Sequence, residues 1–349
     1  MKKKKIKVVA MFLLMLGMII VSEQTAQAKD IPIDKEHFSN RFFREYIKNS
    51  FDCNQDGILS DEELVKVTVI DIGENSEFRT INEFPRVASV KGIEYFPNLE
   101  KIDVSGNQIY AINLKENKKL KILDVDSNDI ASLDISQNPN LEELYCSDNG
   151  LKKLDVWKNR KLKRLFCNDN KLSELNVSKN RKLCDLSFSN NKVRQINLSK
   201  CKELQNLYCE KNKLSELRVK ANKDLITLNC SNNCIQKLNL SDNEMLENLY
   251  CDGNRLIQGN LFVMRSQLVG LSTSKQTRTV HIKKKKGYYM IPMKNIEGTN
   301  RIWDLSCGKV TKKGIKLSKK KKIPKVITYR YNMFTDGKEL TDVELVIKD

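Results

Sequence analysis

From Leu99 onward the apolar residues return every 21 positions, and the pattern L-x-x-L-x-[CVF]-x-x-N-x-[LIV]-x-x-[LI]-x-[LIV]-x-x-N is written eight times. The fourth position reads Ile102, Leu123, Leu144, Leu165, Leu186, Leu207, Leu228 and Leu249. Side chains alternate along a strand, so this stretch predicts a short strand with positions four and six inward and three, five and seven outward. The ninth position is Asn in every copy: Asn107, Asn128, Asn149, Asn170, Asn191, Asn212, Asn233 and Asn254. A second series runs Asn117, Asn138, Asn159, Asn180, Cys201, Asn222 and Asn243. A buried amide both donates and accepts, and it is costly without partners. Two Asn columns therefore predict two inward turns per coil. Each half of the repeat, 10 or 11 residues long, is expected to carry its own L-x-x-L-x-L strand.

A fixed period in this range with Leu/Asn grammar resembles the leucine-rich repeat. The nested halves are similar to a bacterial subclass with little or no helix on the convex side. The resemblance implies a repeat solenoid, mainly β, and solenoids present long regular faces suited to binding. The sixth position holds Cys146, Cys167, Phe188, Cys209, Cys230 and Cys251. Free Cys packs as a small hydrophobe and no C-x-x-C pair gives zinc-type spacing, so this column reads as core. Cys184, Cys201, Cys234 and Cys307 lie off it, and the ten cysteines form no disulfide framework. The outward fifth position carries Tyr145, Phe166, Tyr208 and Tyr250, preceded by Asp103 and Asp124. Outward aromatics on stacked coils are the residues that anchor interfaces; ordinary cross-strand packing is the other reading. Trp157, at the seventeenth position, sits on a different edge.

Residues 1–28 have a basic start, a 14-residue apolar run and Ala26-Gln27-Ala28, the pattern of a cleaved secretory signal. The run is short for a membrane span. The mature chain is expected to begin near Lys29 and to be extracellular, with no membrane span and no covalent wall-sorting motif. In residues 29–66 the run Asp52-Cys53-Asn54-Gln55-Asp56-Gly57-Ile58-Leu59-Ser60-Asp61-Glu62-Glu63 resembles an EF-hand calcium loop. That resemblance implies a structural Ca²⁺ held by Asp52, Asn54, Asp56, the Ile58 carbonyl, Ser60 through water and bidentate Glu63, with Gly57 at the sharp turn. Phe38, Phe42, Phe43, Tyr46, Ile47 and Phe51 before it have helical spacing. Residues 67–98 read as a transitional repeat, with a strand expected near Val69, Ile70, Asp71 and Ile72, leading into regular coils over 99–262.

After Leu256 the pattern decays, and residues 263–349 read as a separate domain. Strands are expected at 277–282, 288–293, 301–305, 314–317, 326–331 and 342–347, with Asp336-Gly337 a turn signal. Short alternating strands of this kind suggest a small β-sandwich. The order of cap, repeats and β-domain is similar to internalin-type secreted proteins, which implies an immunoglobulin-like terminal domain and a binding role. Two features depart from that family: the calcium loop is complete, and the repeat is 21 residues where internalins use 22.

The net charge of +18 is unevenly placed. Residues 29–262 hold 36 residues of each sign, whereas 263–349 hold 21 Lys or Arg against seven Asp or Glu. The excess gathers at Lys283, Lys284, Lys285, Lys286, Lys312, Lys313, Lys319, Lys320, Lys321 and Lys322. A domain so polarised attracts polyanions through counterion release. An anionic cell-wall polymer is the first expectation and a host glycan the second. No motif for specific nucleic-acid binding is present.

Catalysis lacks its usual materials. The two histidines, His37 and His281, have no neighbouring nucleophile in a recognisable motif, and a regular solenoid face is shallow for two opposed carboxylates. The expected function is a secreted non-enzymatic binder of a protein or glycan ligand, held non-covalently at a wall by its basic domain. A structural envelope spacer and a secreted carbohydrate-active enzyme are the alternatives.

Overall fold

Each repeat spends positions three to five in a strand, and the strands stack in parallel with equal positions side by side. The computed structural model describes residues 30–82, 85–256, 261–262, 268–273, 276–286, 288–292, 302–319, 322–332 and 340–348. The secretory segment expected at 1–28 lies outside these residues. The eight strands Lys101–Asp103, Ile122–Asp124, Glu143–Tyr145, Arg164–Phe166, Asp185–Ser187, Asn206–Tyr208, Thr227–Asn229 and Asn248–Tyr250 form one parallel sheet. Val69–Asp71 joins one end and Gly270–Ser272 the other, making ten strands. Leu144 registers with Leu165, and Leu165 with Leu186, so each buried leucine lies against the same position one coil away. Positions one, four, six, eleven and sixteen form a continuous apolar core, the Cys column included. All ten cysteines are free thiols.

The two Asn columns bond differently. Asn170 donates through Nδ2 to the carbonyls of Cys146 (2.9 Å), Cys167 (3.3 Å) and Asn168 (2.9 Å), and its Oδ1 accepts from Leu151 N (2.9 Å). The other first-column asparagines repeat this arrangement. In the second column Asn180 donates to Val156 O (3.0 Å) and Asn159 O (2.8 Å). Oδ1 of Asn117, Asn138, Asn159, Asn180, Asn222 and Asn243 is buried without a hydrogen-bond partner. This second column only donates, which explains how Cys201 can occupy it, its thiol lying 3.6 Å from Val177 O.

The strand expected in the second half of each repeat does not form. Among the described residues only Leu238–Asn239 and Leu261–Phe262 pair there. Elsewhere neighbouring coils share one backbone bond, such as Lys171 N to Leu151 O and Lys192 N to Leu172 O, both 2.8 Å. Position fifteen carries local turns in several coils: Asp155 accepts from Trp157 N (2.9 Å), and Asn176 and Asn197 accept from Ser178 N and Ser199 N (3.1 Å). Such turns compete with ladder formation, but Asn239 accepts from Ser241 N in the same way within the segment that does pair, so they are not what decides it. A second turn falls at position eight. There Gly106, Ser127, Asp148, Asp169, Asn190, Lys211, Asn232 and Gly253 all have φ between 50° and 63°. Gly, Asn and Asp adopt this left-handed conformation most readily; Lys does so at a cost. Lys211→Asn is therefore expected to raise stability by about 1 kcal/mol, measurable as a higher melting temperature.

At the first end, helix α1 (Arg41–Phe51) starts at Asn40, whose Oδ1 accepts from Phe42 N and Phe43 N, both 3.0 Å. Its buried face is Phe43, Tyr46 and Ile47. Tyr46 OH accepts from Asp71 N (3.1 Å), tying the helix to the first sheet strand. Phe38, Phe43, Tyr46, Phe51, Phe78 and Phe96 pack against one another, Phe43 stacked on Tyr46 and the other pairs edge to face or tilted, and together they close the open end of the solenoid.

At the other end the solenoid continues past residue 262. Leu271 registers with Leu249 across 22 residues, one more than the period. Gln276 does the work of a first-column Asn: its Oε1 accepts from Leu256 N (2.9 Å) and its Nε2 donates to Cys251 O (3.0 Å) and Thr273 O (2.9 Å). The extra residue lies before this strand, since Leu271 to Gln276 has the same spacing as Leu249 to Asn254. Two four-stranded sheets follow. One runs in the order Gln276–His281, Leu340–Lys348, Val326–Asn332, Ile302–Trp303. The other runs Lys283–Lys285, Tyr288–Pro292, Gly314–Ser318, Lys309–Thr311. Val280, Leu345 and Ile327 of the first sheet and Ile291, Ile315 and Leu317 of the second are buried. Among the described residues no helix is long and apolar enough to cross a membrane.

Candidate functional site

The fifth-position row lies on the outer face of the ten-stranded sheet and changes character along its length. It reads Asp71, Asp103 and Asp124, then Tyr145 and Phe166, then Ser187, Tyr208, Asn229 and Tyr250. Tyr145 and Phe166 stack with ring centroids 5.3 Å apart and planes 20° from parallel. Tyr145 OH donates to Glu143 Oε2 (2.8 Å), which fixes the ring against its own strand. Tyr208 and Tyr250 stand apart from that pair because Ser187 and Asn229 intervene. The expected stripe is thus one stacked pair and two single rings.

Ser187 is buried, and its small side chain leaves a polar notch of about 250 Å³ beside Tyr208. Asn168, Asp169, Ser189, Asn190, Glu210 and Lys211 line the rest of it. Ser187 Oγ donates to Asn168 Oδ1 (2.6 Å), which also accepts from Ser189 N (2.8 Å), so the floor is held in place. Small-residue substitution within an aromatic column is a signal the sequence carries, and one that a search for aromatics alone passes over.

The acidic end of the row is electrostatically strained. Burial pushes Asp124 up from its ordinary 3.8 to about 7, although it accepts from Asp126 N (3.0 Å). Burial likewise pushes Asp126 up to about 6, against a hydrogen bond from Ser147 N. The native state keeps these protons to higher pH than the unfolded chain does, so their contribution to stability falls as pH rises from 3.8 toward 7. Asp124→Asn is expected to raise the melting temperature at pH 8 and to keep only a smaller part of that advantage at pH 5, since the effect fades out fully only below 3.8. Thermal melts at the two values check it. Asp134 and Asp155 are exposed turn residues that accept from Ser136 N and Trp157 N (both 2.9 Å).

The N-terminal loop holds its oxygen donors by its own N–H groups. Asp52 Oδ2 accepts from Gly57 N (3.1 Å), Asn54 Oδ1 from Asp56 N (3.1 Å) and Asp56 Oδ1 from Ile58 N (2.8 Å). Glu63 accepts from Cys53 N (2.8 Å), Ser60 N (2.9 Å) and Ser60 Oγ (2.8 Å). The hydrogen bonds from Ser60 and Cys53 hold the Glu63 carboxyl below its ordinary range. Ser60 and Glu63 together form the capping box of helix α2 (Asp61–Lys66). Gly57 has φ +82°, a conformation a side chain would strain. Ile58–Leu59 pairs antiparallel with Ile31–Pro32, which braces the loop from the chain that precedes it. The decisive atom is Asp52 Oδ1: it is buried and has no partner. A buried carboxylate oxygen left alone is costly, and each engaged carboxylate retains lone pairs. The donor set fits a hard cation with oxygen ligands, although among the described residues no three His, Cys, Asp or Glu side chains already converge on one point.

Seven of the terminal lysines lie on one sheet or in its turns. Lys283, Lys284 and Lys285 form its exposed edge strand, a feature the charge run concealed. Lys286 follows in a turn, and Lys319 lies at the same end, because Lys285 registers with Tyr288 and Tyr288 with Ser318. Lys312 and Lys313 occupy the turn at the opposite end. Lys320 and Lys321 lie outside the described residues; Lys322 is exposed. Lys316 Nζ sits 4.4 Å over Tyr288 and Lys319 Nζ 5.6 Å over Tyr289, so the fold interleaves aromatics with lysines where the linear sequence does not. The histidines stay apart: His37 Nδ1 pairs with Asp34 Oδ1 (2.8 Å) in the cap, and His281 lies exposed in the terminal domain.

A parallel sheet on one side, turns on the other and two amide columns between them define a leucine-rich repeat solenoid. No family model matches the chain, and no curated protein does. Among solved structures, internalin C2 from Listeria monocytogenes is 19% identical over 63% of this chain and 96% of its own, at a TM-score of 0.55. A leucine-rich repeat protein of Leptospira interrogans is 22% identical over 62% of this chain and 55% of its own, at 0.51. The functional domain of InlJ from Listeria monocytogenes, described as including a cysteine ladder, is 17% identical over 92% of this chain and 99% of its own, at 0.38. The likeness to the first two establishes the fold.

Proposed function

We propose that this chain is a secreted, non-enzymatic binding protein that recognises a protein or glycan ligand through the outer face of its parallel sheet. The observation that carries this reading is the fifth-position row: a stacked Tyr145–Phe166 pair beside a polar notch at Ser187, all on a backbone locked by asparagine columns. Aromatic anchors next to small polar hollows are the features that concentrate binding energy. The terminal domain, read as an immunoglobulin-like sandwich, docks its lysine-bearing sheet on an anionic wall polymer. The test is retention of the full chain on washed bacterial walls and on animal cells at low and high salt. Salt-labile binding to walls and salt-resistant binding to animal cells support the proposal; binding to neither surface refutes it.

The N-terminal loop is proposed to hold a structural Ca²⁺ through Asp52, Asn54, Asp56, Ile58, Ser60 and Glu63. A ligand at a hundredfold excess over its Kd stabilises the native state by about 2.7 kcal/mol. Excess chelator is therefore expected to lower the melting temperature of the wild-type chain and to leave that of Asp52→Asn where it was. An identical melt with and without chelator in the wild type would show that the loop holds no ion.

A further inference from the structure

The equal charge count of residues 29–262 conceals a segregated surface. The turn that follows the sixteenth position is fixed from inside by the second Asn column. Asn159 N bonds Val156 O (3.2 Å) and Leu162 N bonds Asn159 O (3.2 Å), and Asn180 repeats the arrangement one coil on. With the buried Asn pointing inward, the residues just before and after it face solvent. In three consecutive coils these positions are Lys158, Arg160 and Lys161; Lys179, Arg181 and Lys182; and Lys200, Lys202 and Glu203. Eight cations and one carboxylate thus stack in register along one edge. Lys179 is half-buried and the other seven cations are exposed.

None of these eight cations makes an ion pair among the described residues. The contrast lies two positions further along the chain, where Lys121 pairs with Glu100 (2.8 Å) and Lys163 with Glu142 (2.6 Å) one coil away. The same spacing that permits cross-coil neutralisation there sets like charges one coil apart here, an arrangement that is destabilising. Trp157 belongs to the same edge: it is exposed, and Lys179 Nζ lies 4.4 Å over one face of its ring. Behind it a groove of about 1700 Å³ crosses several coils, with Leu154, Leu175 and Ile196 in its floor and Asn176, Ser178 and Asn197 offering amides and a hydroxyl; its lining also carries five cations, Lys202 of the edge among them, against the four carboxylates Asp155, Glu174, Glu216 and Asp224, so the anionic groups of a ligand engage the edge and its sugar rings the groove.

We infer that this edge is a second binding site, separate from the sheet face and from the terminal domain, for a linear acidic polysaccharide. The cations recur at every coil, about 4.8 Å apart along the ladder, so they suit a polymer carrying anionic groups at regular intervals. Arg160 and Arg181 present planar forks that engage sulfate or carboxylate in pairs of hydrogen bonds. Trp157 supplies one flat apolar face for a sugar ring, and the groove supplies polar side chains for hydroxyls. Single-stranded nucleic acid is disfavoured because it draws on successive stacking aromatics, and this edge has one.

The test uses the full chain and heparin as probe. In the four-site variant Lys158→Ser, Arg160→Ser, Lys179→Ser and Arg181→Ser, heparin affinity at low salt is expected to fall at least about tenfold, and the slope of log affinity against log salt by about three. A variant with Lys158→Arg and Lys179→Arg keeps wild-type affinity, and the four-site variant melts no lower than the wild type, because its substitutions break no ion pair and relieve like-charge repulsion. Heparin oligosaccharide shifts the emission of Trp157, and the shift is missing in Trp157→Phe. Replacing Lys283, Lys284, Lys285 and Lys286 with Gln leaves the edge's binding and the Trp157 signal in place, which separates this site from the terminal domain. Undiminished heparin binding by the four-site variant overturns the inference, as does complete loss on the terminal substitutions alone. Equal binding of polyglutamate or single-stranded DNA, with the same salt slope, overturns the assignment to polysaccharide.

Discussion

Asn170→Ala is expected to destabilise the solenoid by about 3 kcal/mol, whereas Asn180→Ala costs about 1 kcal/mol, because only the first leaves a buried N–H without an acceptor. Both side chains are buried in the same stack of coils. Asn170 takes the Leu151 N–H onto its Oδ1 and donates to three carbonyls. Truncation strands that donor in an apolar core. Asn180 donates to Val156 O and Asn159 O and accepts nothing. Its truncation removes donors from carbonyls while releasing an amide oxygen that was itself unsatisfied. The chain carries the natural version of the second experiment at Cys201. Denaturant midpoints of the two variants, measured with the wild type, check the ordering; equal losses would mean that the columns do equivalent work.

Tyr145→Ser combined with Phe166→Ser is expected to weaken ligand binding by at least about thirtyfold, the effect of removing one anchor worth 2 kcal/mol or more. The rings stack on each other on the outward face, while the buried core beneath them consists of Leu144, Leu165, Cys146 and Cys167. The fold should therefore survive the change, with a melting temperature close to that of the wild type. Filling the notch by Ser187→Tyr is the complementary change. It adds a ring but blocks the hollow, so weaker binding from this variant shows that the hollow is used. Stronger binding shows that a continuous aromatic surface is what the ligand needs.

The strand register, the core positions and both asparagine columns were legible because each rests on a strict period and a burial rule. Leu165 and Cys167 had to point inward once Phe166 pointed outward. The second strand of each coil was not legible. Its L-x-x-L-x-L pattern is genuine apolar spacing, but neighbouring coils share only one backbone bond there, such as Lys171 N to Leu151 O, and spacing alone does not reveal that. The left-handed position eight was hidden by its chemistry, since Ser127 and Lys211 stand where Gly106 and Gly253 do. Gln276 escaped notice because one inserted residue moved the amide off period. In the terminal domain the expected segments at 288–293 and 314–317 coincide with strands Tyr288–Pro292 and Gly314–Ser318, whereas the Lys283–Lys285 strand has no alternation to read. Charge summed over residues 29–262 gave zero, and only the coil geometry separates the basic turn edge from the acidic end of the sheet face.

The most direct measurement of the recognition face is photocrosslinking on animal cells at high salt, where the basic surfaces are screened. One full-length variant carries a photoreactive residue at Asn229, in the fifth-position row between Tyr208 and Tyr250; the other carries it at exposed Ser173 on the far side of the coil. The account predicts a discrete adduct from position 229 and none from position 173. An adduct from 173 alone would place the ligand on the wrong side of the solenoid and contradict the account.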